Sequence, residues 1–506
     1  MFNIKRITVG VLAILLTVTS SCKEDYLDIN NNPNQATSAT PDLVLPSALA
    51  STASYVQTRF PFLNLWMGYW NWSGNYSIGT SDKNYQFTNG FGAPIWDNGY
   101  LILKNYNYID TQGATLNQPV VQGIAKIMKA YHFQILVDTY GNIPYTEALN
   151  GLTTASPKYD DQVAIYEDLF KQVDAALALF DQADAKSAQG ETVLDPGAND
   201  IVFGGDVDLH ERLVLWREFA NTLKLRMLLR QSEKPERQAF VQAQLAILNA
   251  SDYGYLGQGA NAAVNPGYTN SANRQNPFYG NFGETVTGTP TELNNQYRGN
   301  KYAIDFYQQT NDPRLARFYA PVGGTGTNFN ATYFGTIDPQ VNSAVSAIGP
   351  ALVDSPDQDA VILSSHESLF LQAEAAQRGW IPGNAKTLYQ QAITESFLNT
   401  GLTAAQAATY YAQPVNNVSY DASANKLEAI ITQKWASLNG FTPFEAWADY
   451  RRLGYPNVPI SQDPSTTVRQ IPVRLLYPTS EFNYNATNAN AQGTVSQFTT
   501  KIFWVK

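Results

Sequence analysis

Thr442-Pro443-Phe444-Glu445-Ala446-Trp447-Ala448-Asp449-Tyr450-Arg451-Arg452-Leu453-Gly454-Tyr455-Pro456 reads as one helix with both ends marked. Thr442 followed three residues later by Glu445 is the pattern of a capping box, and Pro443 suits the first helical position, where no backbone N–H is needed. The Thr442 side chain is expected to accept from the amide near Glu445 while Glu445 reaches back to the Thr442 amide, and losing such a cap costs ~1 kcal/mol. Phe444, Trp447 and Ala448 fall on one apolar side. Arg451 and Arg452 sit near the negative pole, and Gly454 then Pro456 stop the helix. Glu445, Asp449 and Arg452 share a face, which is either an ion-paired surface or a buried clamp and is structural in both cases.

The same three–four spacing recurs through most of the chain. Val163, Tyr166, Phe170, Val173, Leu177 and Phe180 mark one buried face, and Leu209, Leu213, Trp216, Ala220, Leu223 and Met227 another. Leu215, Phe219, Leu225 and Leu229 add a second stripe to the latter, which predicts a helix buried on both sides. Further helical segments run through 119–139, 360–378, 384–398, 403–412 and 424–453. No repeat of fixed length is visible. Helix pairs of irregular length predict a degenerate helical-repeat solenoid with its loops piled on one side. Three regions read as loops: 71–98, 186–208 with Asp195-Pro196-Gly197 and Gly204-Gly205, and the long stretch 251–358.

Ahead of the helices the chain carries a different grammar. Lys5-Arg6, an apolar run from Ile7 to Thr19, and Ser20-Ser21-Cys22 form a charged region, a short hydrophobic region and a small-residue cleavage point. The apolar run is too short to span a bilayer core of ~30 Å as a helix. Cys22 is the one cysteine of the chain, with no partner for a disulfide. Residues 1–21 are therefore expected to be a lipoprotein signal peptide, Cys22 the lipidated residue, and 22–45 a tether rich in Asn, Ser, Thr and Pro. The rest, 46–506, is expected to be a single domain. Formal net charge is −10 and no basic run interrupts it, which makes the chain a poor nucleic-acid binder. Charged residues are 15% of the chain and aromatics 12%. A polar, weakly charged surface of that kind suits neutral hydroxyl-rich ligands.

A series of motifs then carries a resemblance. Tyr26-Leu27-Asp28-Ile29-Asn30, Leu45-Pro46-Ser47-Ala48-Leu49 and Val137-Asp138-Thr139-Tyr140-Gly141-Asn142-Ile143-Pro144-Tyr145 come first. Asn276-Pro277-Phe278, Asp312-Pro313-Arg314-Leu315 and Glu367-Ser368-Leu369-Phe370-Leu371-Gln372-Ala373-Glu374-Ala375 follow. Gln433-Lys434-Trp435, Asn439-Gly440-Phe441, the helix from Phe444 to Arg452, and Ile471-Pro472-Val473-Arg474 close the series. In this order, behind a lipoprotein signal, the chain resembles the SusD/RagB-type outer-membrane nutrient-binding lipoproteins. The resemblance implies a mainly α fold of about four tetratricopeptide-like helix pairs supporting a loop-rich ligand-binding half. It implies a glycan ligand, a SusC-type TonB-dependent transporter as partner, a peptide ligand in some relatives, and no catalysis. Lys23-Glu24-Asp25 after the anchor resembles the signal that sends some such lipoproteins to the exterior of the outer membrane.

A sugar ring presents a C–H face that stacks on Trp or Tyr, ringed by hydroxyls that need polar partners. The densest aromatic run is Phe60, Phe62, Trp66, Tyr69, Trp70, Trp72 and Tyr76. Trp66, Tyr69 and Trp70 have helical spacing and are assigned to the core. Trp72 and Tyr76, flanking Asn75, are assigned to a ligand platform. In the long loop, Arg274, Tyr279 and Phe282 are the further ligand-binding candidates. Hydrolysis of a glycosidic bond needs two opposed carboxylates, and Asp160-Asp161 is a pair of the kind easily drawn from 43 acids. His132, His210 and His366 stand alone, outside any zinc pattern. Gly323-Gly324-Thr325-Gly326 lacks the Lys-Ser/Thr of a phosphate loop. No catalytic residue, metal ligand or cofactor is expected, apart from an outside chance of a structural calcium at Asp206 and Asp208. A surface hydrolase and a plain helical-repeat adaptor are the remaining alternatives.

Overall fold

Long helices carry this chain, and its strands are patches of two to four residues. The computed structural model describes residues 39–506 except Asp206. The signal peptide, Cys22, Tyr26–Asn30 and the tether up to residue 38 lie outside the described residues. The first half contains α1 (Pro41–Thr58), α2 (Pro61–Trp66), β1 (Trp70–Trp72), α3 (Ala93–Thr115), α4 (Pro119–Tyr140), β2 (Ile143–Pro144), β3 (Tyr159–Asp160), α5 (Gln162–Ala188), α6 (Leu209–Arg230) and α7 (Gln238–Asn249). Then come β4 (Ala262–Val264), α8 (Pro277–Phe282), α9 (Glu292–Gln296), β5 (Tyr297–Gly299), α10 (Lys301–Gln309), α11 (Leu315–Phe318), β6 (Tyr319–Ala320), β7 (Ala347–Ile348) and β8 (Ala360–Leu363). The last part holds α12 (Ser365–Gln377), α13 (Ala385–Asn399), α14 (Ala404–Tyr411), α15 (Lys426–Ser437) and α16 (Pro443–Leu453).

The fold is mainly α, built from tetratricopeptide-like pairs: α3 with α4, α5 with α6, α12 with α13, and α15 with α16. Within Pro41–Lys506 these pairs close on one another as one unit. Pro119 opens α4, which is buried along nearly its whole length, and Gly141 ends it at φ 78°, where a side chain would be strained. Asp161 caps α5 by accepting from the amides of Val163 and Ala164, and Asp208 caps α6 by accepting from Glu211. α6 is buried on both sides over most of Arg212 to Arg230, as its two apolar stripes predict, with Val214, Leu215 and Glu218 half-buried. Asp160 accepts from the amides of Tyr145 and Thr146 and fixes the turn after β2. Both members of the Asp160-Asp161 pair are thus engaged by backbone, as turn and cap.

Where α4, α6, α12, α15 and α16 converge, the interior is ionic. Arg230 binds Asp138 at 3.1 Å and Glu445 at 2.6 Å, and Arg226 binds Glu367 at 2.6 Å. Arg452 binds Asp449 at 2.7 Å and also pairs with Glu374, while Lys434 binds Asp449 at 2.9 Å. Asp138 further accepts from the Tyr166 hydroxyl and, at 2.7 Å, from the Trp504 indole. All these groups are buried. Taking an ion out of water costs several kcal/mol, which only close pairing offsets. Burial alone would push the Glu445 carboxyl up; Arg226, Arg230 and Lys434 together overcome it and hold it well below the usual carboxylate range. Burial likewise works against Asp449, and Lys434, Arg452 and Arg230 outweigh it. Arg451 has carbonyl partners, Asp138 O at 2.6 Å and Val473 O at 2.9 Å, and lies 3.4 Å over the Trp447 ring.

Two expectations are corrected here. The shared face of α16 is the buried clamp, and for that reason the capping box does not form: Thr442 makes no side-chain cap bond, and the Glu445 carboxylate is drawn to Arg230 and Arg226. A charge-assisted pair inside the protein outcompetes a bond to one amide. Pro443 and Gly454 do mark the helix ends, Gly454 in the left-handed region at φ 79°. Second, 251–358 is not an open loop. It holds α8 to α11 and four strands, several started by side-chain caps: Asn276, Thr291 and Asn300 accept from amides of the helices they precede. Arg314 then pins the stretch to the last helix pairs, bonding Asp312, Ser396 and Gln433. Helices of four to nine residues are too short to show a period.

Candidate functional site

β1 pairs antiparallel with β5, setting Trp70 opposite Gly299, Asn71 opposite Arg298 and Trp72 opposite Tyr297. Side chains alternate along a strand, so Trp70 and Trp72 share a face and Asn71 points away. There Asn71 donates to Thr332 Oγ1 at 2.7 Å and to Tyr333 O at 3.0 Å, which holds the strand. Trp70 is fully buried between Phe278, Phe282 and Tyr297. Trp72, at the strand end, is half-buried and stacks on Tyr297, centroids 4.4 Å apart and planes 24° from parallel. Such a cross-strand pair adds about 0.5–1.5 kcal/mol beyond area burial and fixes the ring plane.

Trp72 and Tyr297 form one wall of a groove of about 400 Å³. Phe62, Trp66 and Phe91 form another, with Phe62 edge-on to Phe91 at 4.9 Å and to Trp66 at 4.8 Å. Phe62 and Phe91 are half-buried, so each keeps part of a face to the groove. Arg59 and Asp82 stand exposed in its lining. Burial pushes the Asp82 carboxyl up, and burial with Asp82 close by pushes the Tyr297 phenol up. The Trp72 indole N–H has no hydrogen-bond partner among the described residues. That nitrogen is buried, so the groove itself offers flat apolar faces at several angles, one cation and one acid.

The sequence-predicted residues divide. Trp72 lines the groove. Asn75 is exposed but engaged: its carbonyl oxygen accepts from the Asn342 amide at 2.7 Å and ties the loop after β1 to residues 340–344. Gly74 permits that approach, since a Cβ there would meet Pro339 O at 2.3 Å. Tyr76 is half-buried on the same loop, outside the groove lining. Phe282 is 1% exposed inside the Trp70 cluster, so it packs as core and reaches no ligand. Tyr279, one turn earlier on α8, is half-buried, and Arg274 is exposed in the turn before it; neither lines the groove. Trp66, Tyr69 and Trp70 are core, as their spacing predicts. Asp206 lies outside the described residues, and Asp208 is a helix cap. Among the described residues no three His, Cys, Asp or Glu side chains group as metal ligands, and no helix is long and apolar enough to cross a membrane. Tyr297, Phe91, Arg59 and Asp82 went unmarked in the sequence. Tyr297 enters through strand pairing with a residue far away in the chain, a signal no local window holds.

Comparison with known proteins bears on this arrangement. A SusD-like family model, described as starch-binding and associating with the outer membrane, matches residues 33–478. No curated protein matches. Among solved structures, a chitin-binding protein is 25% identical with a TM-score of 0.73, over 92% of this chain and 100% of its own. A chitin-binding SusD homologue from Flavobacterium johnsoniae is 23% identical with a TM-score of 0.73, over 91% and 98%. A SusD homologue from Bacteroides fragilis is 21% identical with a TM-score of 0.72, over 92% and 99%.

Proposed function

Because the chain belongs to the SusD-like family of starch-binding proteins associated with the outer membrane, we propose that it captures a neutral oligosaccharide in the Trp72 groove. It passes that glycan uncleaved to a SusC-type TonB-dependent transporter, over which it acts as a lid. In this reading Cys22 carries the lipid, the protein faces the cell exterior, and the tether keeps the lid near the barrel at high effective concentration when it opens. The capture uses no cofactor.

The observation that carries the reading is the groove's chemistry. Half-buried faces of Phe62, Trp72 and Phe91 suit the C–H faces of sugar rings, and Arg59 and Asp82 suit hydroxyls. One carboxylate lines the groove among the described residues, where glycoside hydrolysis uses two; this favours capture over cleavage. The chitin-binding neighbours add weight to a glycan over a peptide. Calorimetric titration of the soluble chain with starch and chitin oligosaccharides, and with peptides, tests it. Sugar binding that Trp72→Ala weakens about tenfold or more is expected. Binding to peptides alone, or release of shorter sugars from the titrant, overturns the reading.

A further inference from the structure

A second cavity, of about 470 Å³, opens where the end of α7 and the stretch after it meet the turn between α12 and α13, and it shares no lining residue with the groove. Its volume lies within the ~300–1,000 Å³ typical of ligand pockets. Tyr253 and Tyr255, both half-buried, line it beside the apolar side chains of Leu248, Ile381 and Leu388. Buried polar groups hold this stretch from behind. Asn221 of α6, 2% exposed, donates its amide nitrogen to Tyr253 O at 2.9 Å and to Gly254 O at 3.0 Å. Thr222 accepts from the Leu256 amide at 3.1 Å, and Ser368 of α12 donates to Leu256 O at 2.7 Å. Asn249 donates to Trp380 O at 2.8 Å and ties the end of α7 to the turn. The Tyr253 ring is fixed too: the buried Arg217 guanidinium lies 4.5 Å from its centroid, and Asp181 at 2.9 Å and Asp184 at 2.8 Å hold that guanidinium. A wall whose backbone and ring are already ordered loses little freedom when a ligand arrives.

The polar atoms left open around the cavity follow from the bonds already made. Gln372 Nε2 donates to Leu256 O and Ser368 Oγ, both at 3.1 Å; a main-chain oxygen only accepts, so the amide's orientation is set and Oε1 remains an acceptor. Asn249 Nδ2 is engaged by Trp380 O, again main chain, which leaves Oδ1 as an acceptor. Asn384 caps α13 by accepting from the Thr387 amide at 2.9 Å through Oδ1, which leaves Nδ2 as a donor. Asp252 is exposed, and its carboxylate has no hydrogen bond or ion pair among the described residues. None of these atoms is sealed from solvent, and no lysine or arginine lines the cavity. The wall thus presents two aromatic rings, acceptors on three side chains, one amide donor, one negative charge and no positive one. Hydroxyls donate and accept at once and match that set, and the C–H face of a sugar ring matches the tyrosines. An anion would meet Asp252 with no cation to answer it, and a lone ammonium would leave the Asn384 donor idle.

We propose that this cavity is a second binding site, for one neutral hydroxylated sugar ring, which packs on the Tyr253–Tyr255 wall while Asp252, Asn249 and Gln372 accept from its hydroxyls and Asn384 donates to one of them. The site stands apart from the groove, so its loss and the loss of the groove are separable. The chain would then hold one glycan at two places or two glycans at once.

Calorimetric titration with maltose and with N,N′-diacetylchitobiose tests this on the intact soluble chain, on Trp72→Ala, and on Trp72→Ala combined with Tyr255→Ala or with Asp252→Ala. Asp252 is exposed and bonds nothing among the described residues, so its variant decides the matter should Tyr255→Ala fail to fold, which melting curves report. Two sugar sites in the unaltered chain are expected, one of them surviving in Trp72→Ala. That survivor should weaken at least tenfold with Tyr255→Ala and at least fivefold with Asp252→Ala. A single site abolished by Trp72→Ala sinks the second site and leaves the groove standing. Binding untouched by Trp72→Ala but lost with Tyr255→Ala keeps the second site and removes the groove. A survivor indifferent to Asp252→Ala, or one that takes glycylglycine and neither sugar, overturns the proposal.

Discussion

The interior where the helix pairs meet and the groove beside Trp72 are built from opposite materials. The interior holds Asp138, Glu367, Glu374, Glu445 and Asp449 against Arg226, Arg230, Lys434, Arg451 and Arg452, all buried. The groove, open to solvent, is lined by Phe62, Trp72, Phe91 and Tyr297 with a single cation and a single acid. Charge sits where burial penalises it and aromatic faces sit where water reaches them. The difference teaches what each region has to specify. Each buried guanidinium meets its carboxylate or carbonyl partners only when distant segments stand in register, so the network discriminates register more sharply than an apolar contact. A flat ring accepts a partner at many rotations, which suits a surface meeting a ligand.

The sharpest way to break that contrast is to remove one interior charge. Glu445→Ala leaves Arg226 and Arg230 short of a carboxylate and should cost ~3–5 kcal/mol, read as a fall in the urea midpoint. A loss under about 1 kcal/mol, no more than an exposed ion pair is worth, would mean the interior pairs are as slack as surface ones. The next effect is in pH. Burial holds His132 at about 3, and burial, then Arg314 and Lys434, hold His366 at about 3, against 6.5 for a free imidazole. Below 6.5 the unfolded chain takes up protons that the folded chain refuses, so stability present above pH 6.5 is lost as pH falls. Between pH 6 and 5 the loss approaches about 1.4 kcal/mol per unit for each histidine. His132→Phe should halve that slope in urea titrations at stepped pH; an unchanged slope would show that His132 is solvated.

Trp72→Ala comes third. It should weaken glycan binding by about 10–30-fold, in the range of a truncated aromatic anchor, while moving the urea midpoint far less than Glu445→Ala does. Intact binding with a large stability loss would place Trp72 with the interior and erase the distinction. The smallest effect belongs to Thr442. With no cap bond to lose, Thr442→Ala should change stability by no more than ~0.5 kcal/mol; a loss near 1 kcal/mol would restore the capping box.

Helices were legible wherever the apolar period ran for several turns, as in α5 and α6, and wherever Pro and Gly framed them, as in α16. The capping box was misread because the group that claims Glu445, Arg230, lies 215 residues away. Local grammar proposes a partner for a carboxylate, and the assembled core can outbid it. The short helices of 251–358 hid for a related reason: Asn276, Thr291 and Asn300 start them, but four to nine residues carry too little pattern to separate helix from loop. In the site, Trp72 was readable because Asn71, Ser73, Gly74 and Asn75 around it break the helical spacing. Phe282 has the same mixed neighbours and proved to be core, since composition does not show which face of α8 turns inward. Tyr297, Arg59 and Asp82 reach the groove only through tertiary pairing.

Asp138 bears on how the chain comes to be folded at all. Its carboxylate is complete only with Arg230, 92 residues on, and Trp504, 366 residues on. A polypeptide emerging amino-terminus first therefore carries the last turn of α4 with this acid lacking its cation until Arg230 appears, and lacking its indole partner until the final residues. Contacts spanning such distances close slowly, because each must first overcome the entropy of a long loop. The tetratricopeptide-like hairpins are local, whereas the ionic centre that fastens them joins residues 92, 215 and 366 positions apart. A chain cut short before Trp504 is therefore expected to keep its local hairpins while losing the fastening at Asp138, which shorter half-lives under protease would report.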